Sequence, residues 1–299
     1  MASILHITDK DMIEFHRING NQSFNFWRPS ASKKFLDFKK GDFLFFLAKG
    51  TERNGEKGIV GYGICNRINI CNFSQMWNRY GQLNGYTTKE ECKEAILKVT
   101  KEEKIAKKLT CIELDKVVFF QAPVYLSEFG TIISNKLESY TYLDKEDYFL
   151  SAKVLSKANE LGVDIWNQAM NQDIPSIERD MIYLLLSKLN QEIKADVNQN
   201  IYKKMKIYNN SNQNRQFLVG SRSDSIEVFE DHLIINLPIL NTTNSLTSAL
   251  GRIEIYKQCL KCLKLNIKVD VHYRMLLIDV KNIEEDAIFN LYKEYICII

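Results

Sequence analysis

The sequence predicts two domains, a strand-dominated α+β domain in the N-terminal half and an α/β domain in the C-terminal half. Three observations predict them. The 299 residues, 45% hydrophobic and 26% charged, suffice for two cores. From Phe24 to about Phe129, short apolar runs are broken by turn residues, the signature of strands. Beyond Ser176, helical periods of three and four residues alternate with nearly all-apolar strands, which argues for a sheet covered by helices.

The elements follow in order. FLFFLA from Phe43, IVGYGI from Ile59 and VVFFQAPVYL from Val117 read as strands. A helical insertion interrupts them, beginning near Ser74 with SQMWNRYG. It continues through the charged run from Lys89 to Lys108, where Ala95, Ile96, Val99 and Ile105 mark an amphipathic helix. Between Tyr148 and Asn171 the period is helical through Leu150, Val154, Leu155, Ala158 and Leu161, and Pro175 with Ser176 marks a fresh start. The domains are therefore drawn at 1–155 and 176–299, with a helical linker at 156–175. Ser176, Glu178 and the run MIYLLLSKL predict a helix of about four turns, and NNSNQNRQ after it a loop. Strands FLVG at Phe217, SIEVF at Ser225 and LIINLPI at Leu233 precede a helix from Leu246 to Leu265. Strands IKVDV and MLLIDV, a helix around Ala287 to Tyr292 and the terminal YICII complete the chain.

Composition excludes several classes. No run approaches the roughly 18 apolar residues of a membrane span, and MASILHITDKDM carries acidic residues where a signal peptide needs an apolar core. The chain is expected to stay in the cytoplasm, away from membranes. Seven scattered cysteines suggest reduced thiols rather than a disulfide framework. Cys259 and Cys262 form a lone CxxC, with His272 the nearest histidine downstream, and read as small residues on a helix rather than zinc ligands. A net charge of +3 permits nucleic acid as a partner without demanding it, and lysine pairs such as Lys33 and Lys34 or Lys107 and Lys108 read as solvated faces. There is no P-loop, no GxGxxG after a strand and no HExxH, and His6, His16, His232 and His272 are not spaced as metal pairs.

The blocks FNFWRPS (Phe24 to Ser30), FLDFKKGDFLFFLA, GIVGYGI, SQMWNRYGQLNG and IELDKVVFFQAPVYL occur in an order that resembles the EVE and PUA-like modules at the front of some restriction-type HNH proteins. The resemblance covers roughly half the chain and implies a domain that senses a modified nucleobase in DNA or RNA. A flipped base stacks on aromatic faces, and Trp27, Tyr62, Trp77 and Tyr80 are the candidates, with Arg28 placed to pair with a phosphate. Any one of these aromatics is equally well explained as a core or lid residue of a small barrel.

In the second half, Glu178 on a helix, Asp224 opening a hairpin, LIINLPI, and TSALGRIEIYKQCL with Ala249, Leu250, Gly251, Glu254 and Tyr256 resemble the PD-(D/E)xK nucleases. In such enzymes an E-x-K pair on a strand sets a metal-binding carboxylate beside an ammonium. Spaced from Asp224, those positions hold Asn236 and Pro238, a weak metal ligand and a residue without an ammonium, so the site looks disarmed. The alternative is an active site of Glu178, Asp224, Glu254 and Lys257, with Mg²⁺ at Asp224 as its cofactor.

Together the resemblances imply an α+β N-terminal PUA-like β-barrel domain followed by an α/β restriction-endonuclease-like domain. The expected function is a DNA-binding protein of the restriction or defence type that senses a modified base without cutting. The alternatives are a Mg²⁺-dependent, modification-dependent endonuclease and a protein that binds modified RNA. The nuclease-like domain would supply duplex contacts or dimerisation, which leaves a homodimer open.

Overall fold

The structure, a computed structural model, describes residues 1–29, 31, 35–48, 55–134, 137, 139–171, 176–193, 198–263, 265, 267–278 and 291–299. Ser30, Lys33, Lys34, Pro175 and positions 279–290, which hold the end of MLLIDV and most of the helix expected from Ala287, lie outside the described residues. The chain divides into two compact units, Ala2–Ile177 and Glu178–Ile299. Each contains a mixed sheet with helices, so the protein is α+β.

The first unit runs β1 (Ser3–Ile7), α1 (Lys10–Ile18), β2 (Phe24–Arg28), β3 (Phe43–Ala48), β4 (Gly58–Cys71), α2 (Phe73–Tyr80), a 3₁₀ turn (Gly81–Asn84), α3 (Lys89–Thr100), β5 (Leu109–Val124), β6 (Tyr140–Tyr142), α4 (Leu150–Leu161) and α5 (Ile165–Met170). Local chemistry sets the helix ends. Asn72 and Gln75 form a reciprocal cap on α2, and Thr88 with Glu91 does the same for α3. The helix expected through Lys108 stops at Lys101, whose φ of 57° is left-handed and whose amide bonds to Leu97. Cys92 and Ile96 are its buried residues, Val99 is exposed, and Ile105 packs on the core from beyond the helix end.

The strands are ordered β2-β5-β4-β3-β1-β6, with β1 and β3 parallel and the other pairs antiparallel. The expected closed barrel is not formed, because among the described residues β2 and β6 end the order without pairing to each other. The sheet nevertheless rolls. Three register shifts between β4 and β5 bend the two longest strands. At Gly61, beside the first shift, a Cβ would stand 2.4 Å from the Val118 carbonyl, so only glycine allows the strands this approach. The roll sets the ring of His6 on β1 4.8 Å from that of Phe26 on β2, and the Arg28 guanidinium 5.1 Å from the Tyr140 ring on β6. Side chains thus bridge the seam that backbone hydrogen bonds would close in a barrel.

All six residues of β3 are buried, as in a strand covered on both faces. One face joins the cluster of Phe24, Phe26, Trp27, Leu44, Phe46 and Phe119, and on the other Phe43 and Phe45 pack against Tyr62. Amide-to-carbonyl bonds from Asp164 to Phe119 and from Gln121 to Gly162 fasten the α4–α5 segment to β5.

The second unit runs α6 (Ile177–Ile193), α7 (Gln199–Asn210), β7 (Arg215–Phe217), β8 (Ser225–Val228), β9 (His232–Ile239), α8 (Thr243–Cys262), β10 (Asp270–Leu277) and β11 (Ile296–Ile298). Its sheet order is β11-β10-β9-β8-β7, parallel among β9, β10 and β11 and antiparallel among β7, β8 and β9. Three expectations are corrected. The stretch NNSNQNRQ is not all loop, since its first two residues end α7 and its last two open β7. IKVDV and MLLIDV contribute to one strand rather than two, because pairing to β9 runs unbroken from Asp270 to Leu277. The helix expected to Leu265 ends at Cys262. One sheet face packs Ile235, Leu237 and Met275 with Leu186 of α6 and Ala249 and Tyr256 of α8. The other sets Leu276 and Ile278 with Ile201 and Met205 of α7. No helix of the described residues is long and apolar enough to cross a membrane.

Candidate functional site

Backbone bonding of β4 on its β3 side ends at Cys65, so residues 66–71 of β4 keep only β5 as a strand neighbour before Asn72 opens α2. In this corner Asn69, Ile70, Cys71, Gln75, Asn78 and Arg79 line an open groove of about 550 Å³. Three of the six are amides, each carrying both donors and an acceptor, Ile70 is half-exposed, and Arg79 adds a cation. Tyr80 is pinned beside them. Its hydroxyl donates to Glu113 Oε1 at 2.7 Å and accepts from Asn69 Nδ2 at 3.1 Å, while Asn69 Nδ2 also reaches Glu113 Oε1 at 2.8 Å. Burial and then the Glu113 carboxylate push the Tyr80 hydroxyl up to about 12, so it remains a donor at neutral pH. The Arg79 guanidinium stands 5.9 Å from the Tyr80 ring. This wall can hydrogen-bond the edge of a planar heterocycle, offer it an apolar contact and pair with an anion.

The five residues expected at a base are split among four places. Trp27 is 6% exposed within the core cluster, and its indole donates to the Asn84 carbonyl at 3.1 Å. That turn is fixed by Gly85, whose φ of +89° places a would-be Cβ 2.3 Å from Met12 Cγ. Tyr62 is fully buried against Phe43. Arg28, also buried, lies with its guanidinium 4.5 Å from the Phe35 ring and 5.1 Å from the Tyr140 ring, and burial lowers its pKa. Trp77 and Tyr80 share α2 and pack half-buried against the core, and Tyr80 reaches the groove wall through its bond to Asn69. The amides at Asn69, Gln75 and Asn78 were not singled out from sequence. The only local signal was a polar strand end meeting a capped helix.

In the second unit Asp224 is fully buried, and its carboxylate is already engaged. Oδ1 accepts from Ser223 Oγ at 2.9 Å and faces Arg252 at 3.5 Å, while Oδ2 accepts from Tyr256 at 2.8 Å and Asn190 at 3.1 Å. Glu178 accepts from the amides of Lys268 and Val269. Glu254 and Lys257 are exposed on α8, Glu254 bonded to Gln258 at 2.6 Å and Lys257 over the Tyr273 ring at 5.4 Å. Glu254 lies two residues from Arg252, about 200° round the helix, so these four side chains do not converge. As arranged, the Asp224 carboxylate does not fit Mg²⁺, since both oxygens are taken and a guanidinium stands beside them. Among the described residues no three His, Cys, Asp or Glu side chains are grouped to hold a metal. Asn236 is buried without a hydrogen-bond partner on either side-chain atom, and Pro238 lies opposite Leu276 in the register of β9 and β10.

The chain matches no family model and no curated protein. Among solved structures it is similar to an ASCH protein from Zymomonas mobilis, at 15% identity over 51% of this chain and 94% of that chain, with a TM-score of 0.36. A point variant of the same protein gives 16% identity over 52% and 98%, with a TM-score of 0.37.

Proposed function

We propose that the unit Ala2–Ile177 binds nucleic acid by holding one unstacked base in the groove beside α2. The observation that carries this reading is the convergence of three amides and an arginine on one open wall, with a pinned tyrosine bonded to it from behind. Asn69 and Asn78 read the base edge, Tyr80 supplies ring surface, and Arg79 pairs with the flanking phosphate. Preference for a modified base, implied by the sequence resemblance, belongs to the same proposal. The unit Glu178–Ile299 serves in it as a non-cutting partner, because the acidic residue that a nuclease would offer to a metal is enclosed by Ser223, Asn190, Tyr256 and Arg252.

The test is fluorescence anisotropy of the full chain with single-stranded DNA, single-stranded RNA and duplex DNA, plain or carrying methylated, hydroxymethylated or glucosylated bases, with and without Mg²⁺. Salt-sensitive binding that favours one modified strand and falls in an Asn78→Ala variant supports the reading. Absence of binding to every nucleic acid overturns it, and Mg²⁺-dependent cutting overturns the non-cutting role of the second unit.

A further inference from the structure

We infer that Cys71 and Cys111 form a reversible disulfide at the wall of the groove, a site of oxidative modification. Their Sγ atoms are 3.4 Å apart, and all seven cysteines of the chain are free thiols. The two differ in access. Cys71 is half-exposed and lines the groove, whereas Cys111 is fully buried on β5 beneath it. An oxidant from solution therefore meets Cys71 first and finds the second thiol already in contact with it.

The strand register shows what closing the bond requires. Asn69 faces Cys111 and Cys71 faces Leu109, so the two cysteines are diagonal neighbours. In regular strands such Cα atoms stand about 7–8 Å apart, slightly beyond the usual span of up to about 6.8 Å for a disulfide. Here β4 has lost its β3 neighbour and is paired on one side only, and two-stranded ribbons twist more strongly than wide sheets. Closing the bond therefore takes a small shift confined to Cys71, beyond Asn69, which its bonds to Tyr80 and Glu113 hold in place. Sulfur contact at 3.4 Å has to shorten to about 2.05 Å, which side-chain rotation together with that shift supplies.

The chemistry balances with a hydroperoxide as oxidant. The Cys71 sulfur attacks the peroxide oxygen, the O–O bond breaks, an alcohol (water, from hydrogen peroxide) leaves, and Cys71 becomes a sulfenic acid. The Cys111 sulfur then attacks the Cys71 sulfur. The S–S bond forms, the S–O bond breaks, and the hydroxyl departs as water with the Cys111 proton. Two thiols lose two electrons and the hydroperoxide gains them. Burial, assisted by the neighbouring Cys71, raises the pKa of Cys111 and keeps it a thiol until this second step, which assigns it the resolving role.

The inference does not rest on what the groove binds, and its test needs no ligand. The full chain is treated with hydrogen peroxide, remaining thiols are alkylated, and a non-reducing digest is analysed by mass spectrometry. The expected result is a linked Cys71–Cys111 peptide two hydrogens lighter than the sum of its parts, cleaved by dithiothreitol. In Cys111→Ser the link is lost and sulfenic or sulfinic acid accumulates at Cys71. In Cys71→Ser, a half-exposed position that tolerates the change, Cys111 remains reduced. Full alkylation of both thiols after peroxide, or sulfinic acid at Cys71 in the unsubstituted protein with no linked peptide, overturns the inference.

Discussion

The Tyr80 hydroxyl donates a 2.7 Å hydrogen bond to the Glu113 carboxylate, joining the last turn of α2 to the first third of β5. Because Asn69 bonds to both groups, the wall of the groove and the helix beside it are held as one unit. Tyr80→Phe keeps the ring and removes the hydroxyl. It should cost about 1 kcal/mol in urea-induced unfolding and weaken base binding further by loosening Asn69.

Arg79 contributes charge rather than stability. Its guanidinium is exposed at the groove, so Arg79→Ala should change the melting temperature little. The slope of log affinity against log salt should fall by about 0.7 for a single strand, the share of one lost phosphate contact. Salt titrations of both proteins by anisotropy check this.

Trp27 was expected from sequence to wall a base pocket, where its removal would change recognition and spare the fold. Its burial and its bond to Asn84 predict the reverse. Trp27→Ala should lower unfolding free energy by about 3–5 kcal/mol, visible as a shifted urea midpoint.

Asp224→Ala should be similarly severe, at about 3–5 kcal/mol, because Arg252 is left as a buried charge without its carboxylate. Asp224→Asn keeps the shape of the side chain and should cost less. A nuclease metal ligand would behave differently, with its loss sparing stability and abolishing cutting. Paired thermal melts and nuclease assays separate the two roles.

Stability should fall as the solution is acidified below pH 6.5. Burial lowers His6 to about 4 and His16 to about 3 from a usual 6.5, so the unfolded chain takes up these protons first. Asp42 opposes them. Burial raises it from 3.8 to about 6, so its protonation favours the folded state as the pH drops through that window. Two groups against one leave a net loss of about 1.4 kcal/mol per pH unit between pH 6 and 4. Asp42→Asn should steepen the loss, and urea titrations across this range measure it.

The sequence carried the strand and helix pattern well where the period was long. In α8, Leu246, Ala249, Ile253 and Tyr256 recur at helical spacing and are the residues the helix buries. That the first sheet rolls without closing was not legible, because it depends on three register shifts and on Arg28 meeting Tyr140, contacts far apart in the chain. The aromatic residues were legible only as aromatics. Nothing local separates Tyr62, enclosed by Phe43 and Phe45, from Tyr80 at the groove, since the difference is made by what the fold lays over each. Asn69 and Asn78 are not legible as a site, because amides at a strand end and on a short helix are ordinary surface chemistry until a fold sets them side by side.

The arrangement around Arg28 has a consequence for how copies of the protein behave when crowded. An open sheet exposes two rows of unpaired backbone groups, and these invite strands from other molecules. Here the ends of the sheet are drawn toward each other by a cation set against Tyr140 and Phe35, two rings that also contact each other. A foreign strand would have to expel a buried charge from its aromatic seat before it could add to the edge. The incomplete barrel is in this sense guarded at its opening by side chains rather than by backbone pairing.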